Sequence, residues 1–97
     1  MRALKFKKQK AMYYCIEVPT NAATMFAGRV IGHGSKEQME NLAQSRNDAT
    51  AYAVAERQRH ADEIAGSGIA ATEIAPYHYT VISADEWNGE FERRSNR

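Results

Sequence analysis

Hydrophobic and polar positions change their period several times along this chain, and each change marks an element. Leu4 and Phe6 alternate with Lys5 and Lys7, the period-two pattern of a half-buried edge strand and equally that of a loose basic arm. Residues 12–18 read as a strand, rich in aromatic and β-branched side chains and closed by Pro19, which cannot continue an internal ladder. Tyr14, Ile16 and Val18 then share one face, with Tyr13, Cys15 and Glu17 on the other. Residues 24–31 read as a second strand weakened by Gly28, with a short helix opening at Asn21 as the alternative.

A glycine-flanked turn, Gly32-His33-Gly34, leads to Ser35, which reads as an N-cap because Gln38 three residues on completes a capping box. Met39, Leu42, Ala43, Thr50, Ala53, Val54, Ala61, Ile64 and Ala65 fall on one helical face, and Gly66 marks the end. A helix of that length spans about 45 Å, whereas a compact domain of this size has a radius of gyration near 13 Å. The helix therefore either breaks near Asn47 and Asp48, both poor helix formers, or overhangs and is covered by a partner. Residues 77–82 form a strand introduced by Pro76. Ser83 and Glu86 repeat the capping-box signature before a short helix that carries Trp87 and Phe91 one turn apart and is weakened by Gly89. Residues 93–97 read as a fraying tail. The fold expected is α+β, a single domain over 1–97: a small antiparallel sheet of about three strands packed on one long or broken central helix, with a short C-terminal helix.

Composition narrows the class. The 97 residues, 43% hydrophobic and 26% charged, suit one folded domain with a modest core. The single cysteine cannot form an internal disulfide, and no apolar run approaches the roughly twenty residues of a membrane span. No membrane association and a reducing cytoplasm are the expected setting. The net charge of +1 conceals an uneven distribution: Arg2, Lys5, Lys7, Lys8 and Lys10 crowd the first ten residues without an acidic neighbour, which suits phosphate contacts.

No cofactor or metal is expected. His33, Gly34 and Ser35 stand before a helix N-terminus, where N–H groups and the macrodipole can hold an anion, but the spacing matches neither a P-loop nor a dinucleotide fingerprint. Glu56 and His60, one turn apart, supply at most half a metal site. Cys15 sits in an apolar strand, the setting of an inert thiol. Arg46 and Arg57 lie in the middle of the helix's apolar stripe, so each guanidinium must snorkel, pair with a carboxylate, or meet an acidic partner. Tyr13 and Tyr14 occupy opposite strand faces, and Trp87 and Phe91 either cover the sheet or join Arg46 and Arg57 in meeting a partner, since Tyr, Trp and Arg are enriched at interfaces. The expectation is a small non-enzymatic protein-binding module or inhibitor, in character like a phage or mobile-element accessory protein of the anti-CRISPR kind, with a protein partner or a homodimer. The alternatives are a nucleic-acid-binding module using the basic N-terminal segment and a small enzyme using the His33 turn.

Overall fold

A computed structural model describes residues 11–66 and 68–95. The chain runs as strand β1 (Tyr13–Pro19), a single 3₁₀ turn (Met25–Ala27), strand β2 (Arg29–Gly34), helix α1 (Lys36–Ala65), strand β3 (Tyr77–Ser83) and helix α2 (Ala84–Ser95). The three strands form one antiparallel sheet in the order β2-β1-β3. The architecture is the expected α+β one. The basic positions Arg2, Lys5, Lys7, Lys8 and Lys10 lie outside the described residues.

β1 is central because it is apolar on both faces. Cys15, Ile16 and Val18 are the most deeply buried side chains, and the period-two alternation sends them to different layers. Cys15 packs with Met39 and Ala43 of α1, joined by Tyr13, Ile31, Leu42, Tyr79 and Val81. Ile16 and Val18 pack with Trp87 of α2, joined by Tyr14, Met25, Phe26 and Ile82. The sheet is thus sandwiched between α1 on one face and α2 with the 3₁₀ turn on the other. A bulge in β2 sets this up: Cys15 pairs with Gly32 but Ile16 with Val30, so Ile31 is the extra residue and turns toward the α1 layer.

Two sequence expectations are corrected. Residues 24–31 are not one strand: Thr24 caps the 3₁₀ turn through its hydroxyl, which lays Met25 and Phe26 over Ile16 and Val18, and pairing begins only at Arg29. Gly32, His33 and Gly34 are not a turn but the end of β2, opposite Cys15, Tyr14 and Tyr13. Glycine lets α1 approach closely there: a Cβ at Gly32 would lie 2.9 Å from Leu42 Cδ2 and one at Gly34 2.5 Å from Gln38 Oε1, so either side-chain end would have to move aside. Of the two courses open to α1, a break near Asn47 or an overhang, the structure takes the second: the helix runs unbroken for 30 residues to Gly66, whose φ of 62° ends it. Arg93 and Arg94, read as part of the tail, lie in α2, where both pair with Glu90, at 2.7 and 3.2 Å.

The continuous helix overhangs. A seven-residue strand extends about 23 Å and α1 about 45 Å, and only Met39 and Ala43 of α1 are buried. Two side-chain carboxamides hold the helix to the chain that returns beside it. Asn47 Nδ2 donates to the Tyr79 carbonyl and Asn47 Oδ1 accepts from the Tyr79 N–H, both at 2.9 Å. Three turns further on, Gln58 Nε2 donates to the Ala71 carbonyl at 3.1 Å and Gln58 Oε1 accepts from the Glu73 N–H at 2.8 Å. Each amide supplies one donor and one acceptor, the pair a neighbouring strand would supply.

Two predictions follow from this packing. Asn47→Ala removes both bonds to a half-buried edge and should cost about 1–3 kcal/mol in urea denaturation, with Gln58→Ala costing less because its site is more exposed. Glycine replacements should split in sign. Gly28→Ala places a Cβ 2.4 Å from the Glu17 carbonyl oxygen and should destabilise by about 1–3 kcal/mol. Gly89→Ala meets only Arg93 Nη1 at 3.7 Å and should stabilise α2 by about 0.5–1 kcal/mol; thermal melts read both.

Candidate functional site

The helix is held to β3 at Asn47 and to the irregular chain leading into β3 at Gln58, and between these contacts the two part. The gap is a groove of about 310 Å³ whose helix wall is Arg46, Ala49, Thr50, Ala53 and Arg57 and whose strand wall is Pro76, Tyr77 and Tyr79. Alanine and threonine keep the helix wall low, and Pro76 starts the strand wall by fixing the chain as it enters β3. Thr20 anchors that entry, donating its N–H to the Pro76 carbonyl at 2.9 Å and its hydroxyl to the Ala75 carbonyl.

The groove continues at both ends. Beyond Arg57 lies an apolar cleft of about 440 Å³ formed by Ala61, Ile64, His60 and Glu73, with Ile64 74% exposed. Beyond Tyr77 lies a cleft of about 410 Å³ with Glu17, Gly28 and Arg29 in its wall.

Electrostatics differ along this track. Arg57 Nε pairs with Glu73 at 3.2 Å with both side chains partly exposed, so the pair is solvated and weak. Glu17 is more enclosed. Arg29 Nε donates to its Oε1 at 2.8 Å and the Tyr79 hydroxyl to its Oε2 at 2.9 Å; the Arg29 bond, then that from Tyr79, hold the Glu17 carboxyl below its ordinary range. Burial, followed by the bond to Glu17, pushes the Tyr79 phenol up, and Arg46 nearby opposes the rise. Arg46 itself enters no ion pair among the described residues.

The structure brings some sequence candidates together and separates others. Arg46 and Arg57 share one groove, eleven residues or about 16 Å apart along α1. Tyr13 and Tyr14 sit half-buried in opposite layers. Trp87 is 8% exposed and belongs to the core, stacked with Phe26 at 5.3 Å and Phe91 at 5.1 Å, while the Arg94 guanidinium covers the Phe91 ring at 5.4 Å.

At the start of α1 the capping box occupies two leading N–H groups: Gln38 donates to Ser35 Oγ at 3.1 Å and Ser35 donates to Gln38 Oε1 at 3.0 Å. Glu37 adds a negative charge in that first turn, so His33, Gly34 and Ser35 face an anion less openly than the sequence implies. His33, His60 and His78 lie on β2, α1 and β3 respectively. Among the described residues no group of three or more potential metal ligands gathers, and no helix is long and apolar enough to cross a membrane. Cys15 is fully buried, and burial raises its thiol pKa despite Arg46.

Glu17, Tyr77, Tyr79, Glu73 and Gln58 were not legible as site residues. Only Gln58 left a signal, a carboxamide in phase with Asn47 on the helix. A pH test follows from Glu17. Its folded pKa lies below the unfolded value of about 4.3, so its contribution is full above that pH and is lost as pH falls below it. Glu17→Gln should lower the melting temperature near neutrality and flatten its fall between about pH 5 and 3. Some fall remains, because arginines also hold Glu56 and Glu90 low. Comparison of the chain with protein-family models, curated proteins and solved structures finds no match in any of the three.

Proposed function

We propose that this protein is a small binding module that acts on another protein through the groove between α1 and β3. The observation that carries the reading is the overhang: α1 continues past the sheet, and the groove beside it keeps two arginines and Tyr77 at the surface, with half-buried Tyr79 in its wall and a low floor of alanine and threonine. Arginine and tyrosine are the side chains that carry binding energy at interfaces. The neighbouring Ile64 extends the surface with apolar area.

A binding role fits these side chains better than a catalytic one. Cys15 is sealed beneath α1 with a raised pKa, and the histidines stand on three different elements, where none is paired with a nucleophile by the described hydrogen bonds. Inhibition of a larger complex in the cytoplasm is the use such a module serves most directly, since occupying a partner's surface requires no chemistry of its own. A second copy of the chain is the other protein the same surface could cover.

Immobilised protein should retain a partner from a lysate of its source cells, and Ala53→Arg, which fills the groove floor, should abolish retention. Arg46→Glu should reduce it by about tenfold or more. Circular dichroism should report unchanged helix content in both variants, and light scattering across micromolar concentrations decides whether the retained protein is a second copy. Retention that survives Ala53→Arg would refute the reading.

A further inference from the structure

The wall of the groove between the two carboxamide contacts contains two cations and no carboxylate. We infer that its ligand is an extended acidic segment of a partner protein, lying between α1 and β3 with one carboxylate at Arg46 and a second at Arg57. This rests on the binding role proposed above and names the chemistry of the partner.

The two arginines fix the spacing. They stand about 16 Å apart along the helix axis, which an extended chain at about 3.3 Å per residue spans in roughly four to six residues; since side chains of such a chain alternate between faces, an even interval of four or six brings both carboxylates to the same wall. Arg46 makes no close ion pair among the described residues; the Glu17 carboxylate, which feels its charge, is already held by Arg29 and Tyr79. Arg57 meets Glu73 through Nε alone, and its side chain is 48% exposed, which leaves the outer N–H groups of its fork to take a second carboxylate. Between the arginines, Ala49, Thr50 and Ala53 on one side and Tyr77, 41% exposed, on the other leave room for small or β-branched side chains.

The backbone favours an extended ligand. Tyr79 turns its N–H and C=O away from β1 and toward α1, where Asn47 takes both. Tyr77 is two residues earlier in the same strand, so by the alternation of an antiparallel ladder its N–H and C=O point the same way, into the groove. An incoming strand can add to that edge at Tyr77, a recognised mode of peptide binding, while Asn47 stops it from adding further along.

The test uses the full chain and fluorescein-labelled synthetic peptides of about ten residues, read by anisotropy. One peptide carries two glutamates four residues apart, on one face of an extended chain, with an alanine, threonine and valine background; the second has glutamine at both positions, and the third has the two glutamates adjacent. A short oligothymidylate serves as the phosphate probe. The spaced-glutamate peptide should bind with Kd about 0.1–1 mM, the glutamine peptide at least about tenfold more weakly, and the adjacent-glutamate peptide about threefold more weakly. Arg46→Gln and Arg57→Gln should each weaken the spaced peptide by about two- to fivefold, the range of an exposed ion pair, with melting temperatures unchanged.

Equal affinity for the glutamine peptide, or no binding of the spaced peptide, overturns the inference. Oligothymidylate binding that depends on the same two arginines also overturns it, in favour of a phosphate ligand. If the peptide fails while Ala53→Arg still strips a partner from the immobilised protein, the acidic specificity falls and the binding role stands. If both fail, both fall.

Discussion

The contact on which the α1 side of this molecule depends is the pair of hydrogen bonds between the Asn47 carboxamide and the backbone of Tyr79. An edge strand presents alternate N–H and C=O groups to solvent, and each such pair is an invitation to another strand. At Tyr79 the helix answers that invitation from within the chain. The bond fixes where along β3 the helix crosses, brings Arg46 beside the Tyr79 phenol, and so sets the environment of Glu17 on the neighbouring strand. Gln58 repeats the device on chain that has no regular secondary structure of its own. The groove is what remains between two fixed points.

Close approach at the other end of α1 complements this attachment. Gly32 and Gly34 let the first turns of the helix settle onto β2, with Leu42, Met39 and Gln38 in the space a side chain would fill. The bulge adds Ile31 to the same layer. The helix is therefore packed tightly where it begins, hydrogen-bonded where it leaves the sheet, and open to solvent where it ends. Its apolar stripe follows that gradient, from buried Met39 to exposed Ile64.

What could be read from the sequence was what local pattern controls. The alternation in β1 assigned both faces correctly, and the Ser35 and Ser83 capping boxes placed two helix starts. What failed were residues whose role depends on a distant neighbour. Glycines at positions 32 and 34 suggested a turn because local sequence carries no sign of the helix that needs the space. At Asn47 the sequence left a break and a continuous helix equally open, because the residue's low helix propensity was visible and Tyr79, thirty-two residues away, was not. Of the candidate interface residues, Arg46 and Arg57 drew attention as cations in an apolar stripe, and both line one groove. For Trp87 the sequence left core and interface open, because an aromatic side chain looks the same in either; in the structure it packs in the core.

The eleven-residue interval between Asn47 and Gln58 amounts to just over three whole turns, since each residue advances an α-helix by about 100°. The two amides therefore point the same way only while that count is kept. A single inserted or deleted residue between them would swing Gln58 about a quarter-turn aside and release the chain around Glu73, and Arg57 would leave the groove with it. Length changes before Asn47 or after Gln58 carry no such penalty for the attachment. The middle of α1 thus acts as a ruler, and it is the segment of this protein in which length should vary least as the sequence drifts.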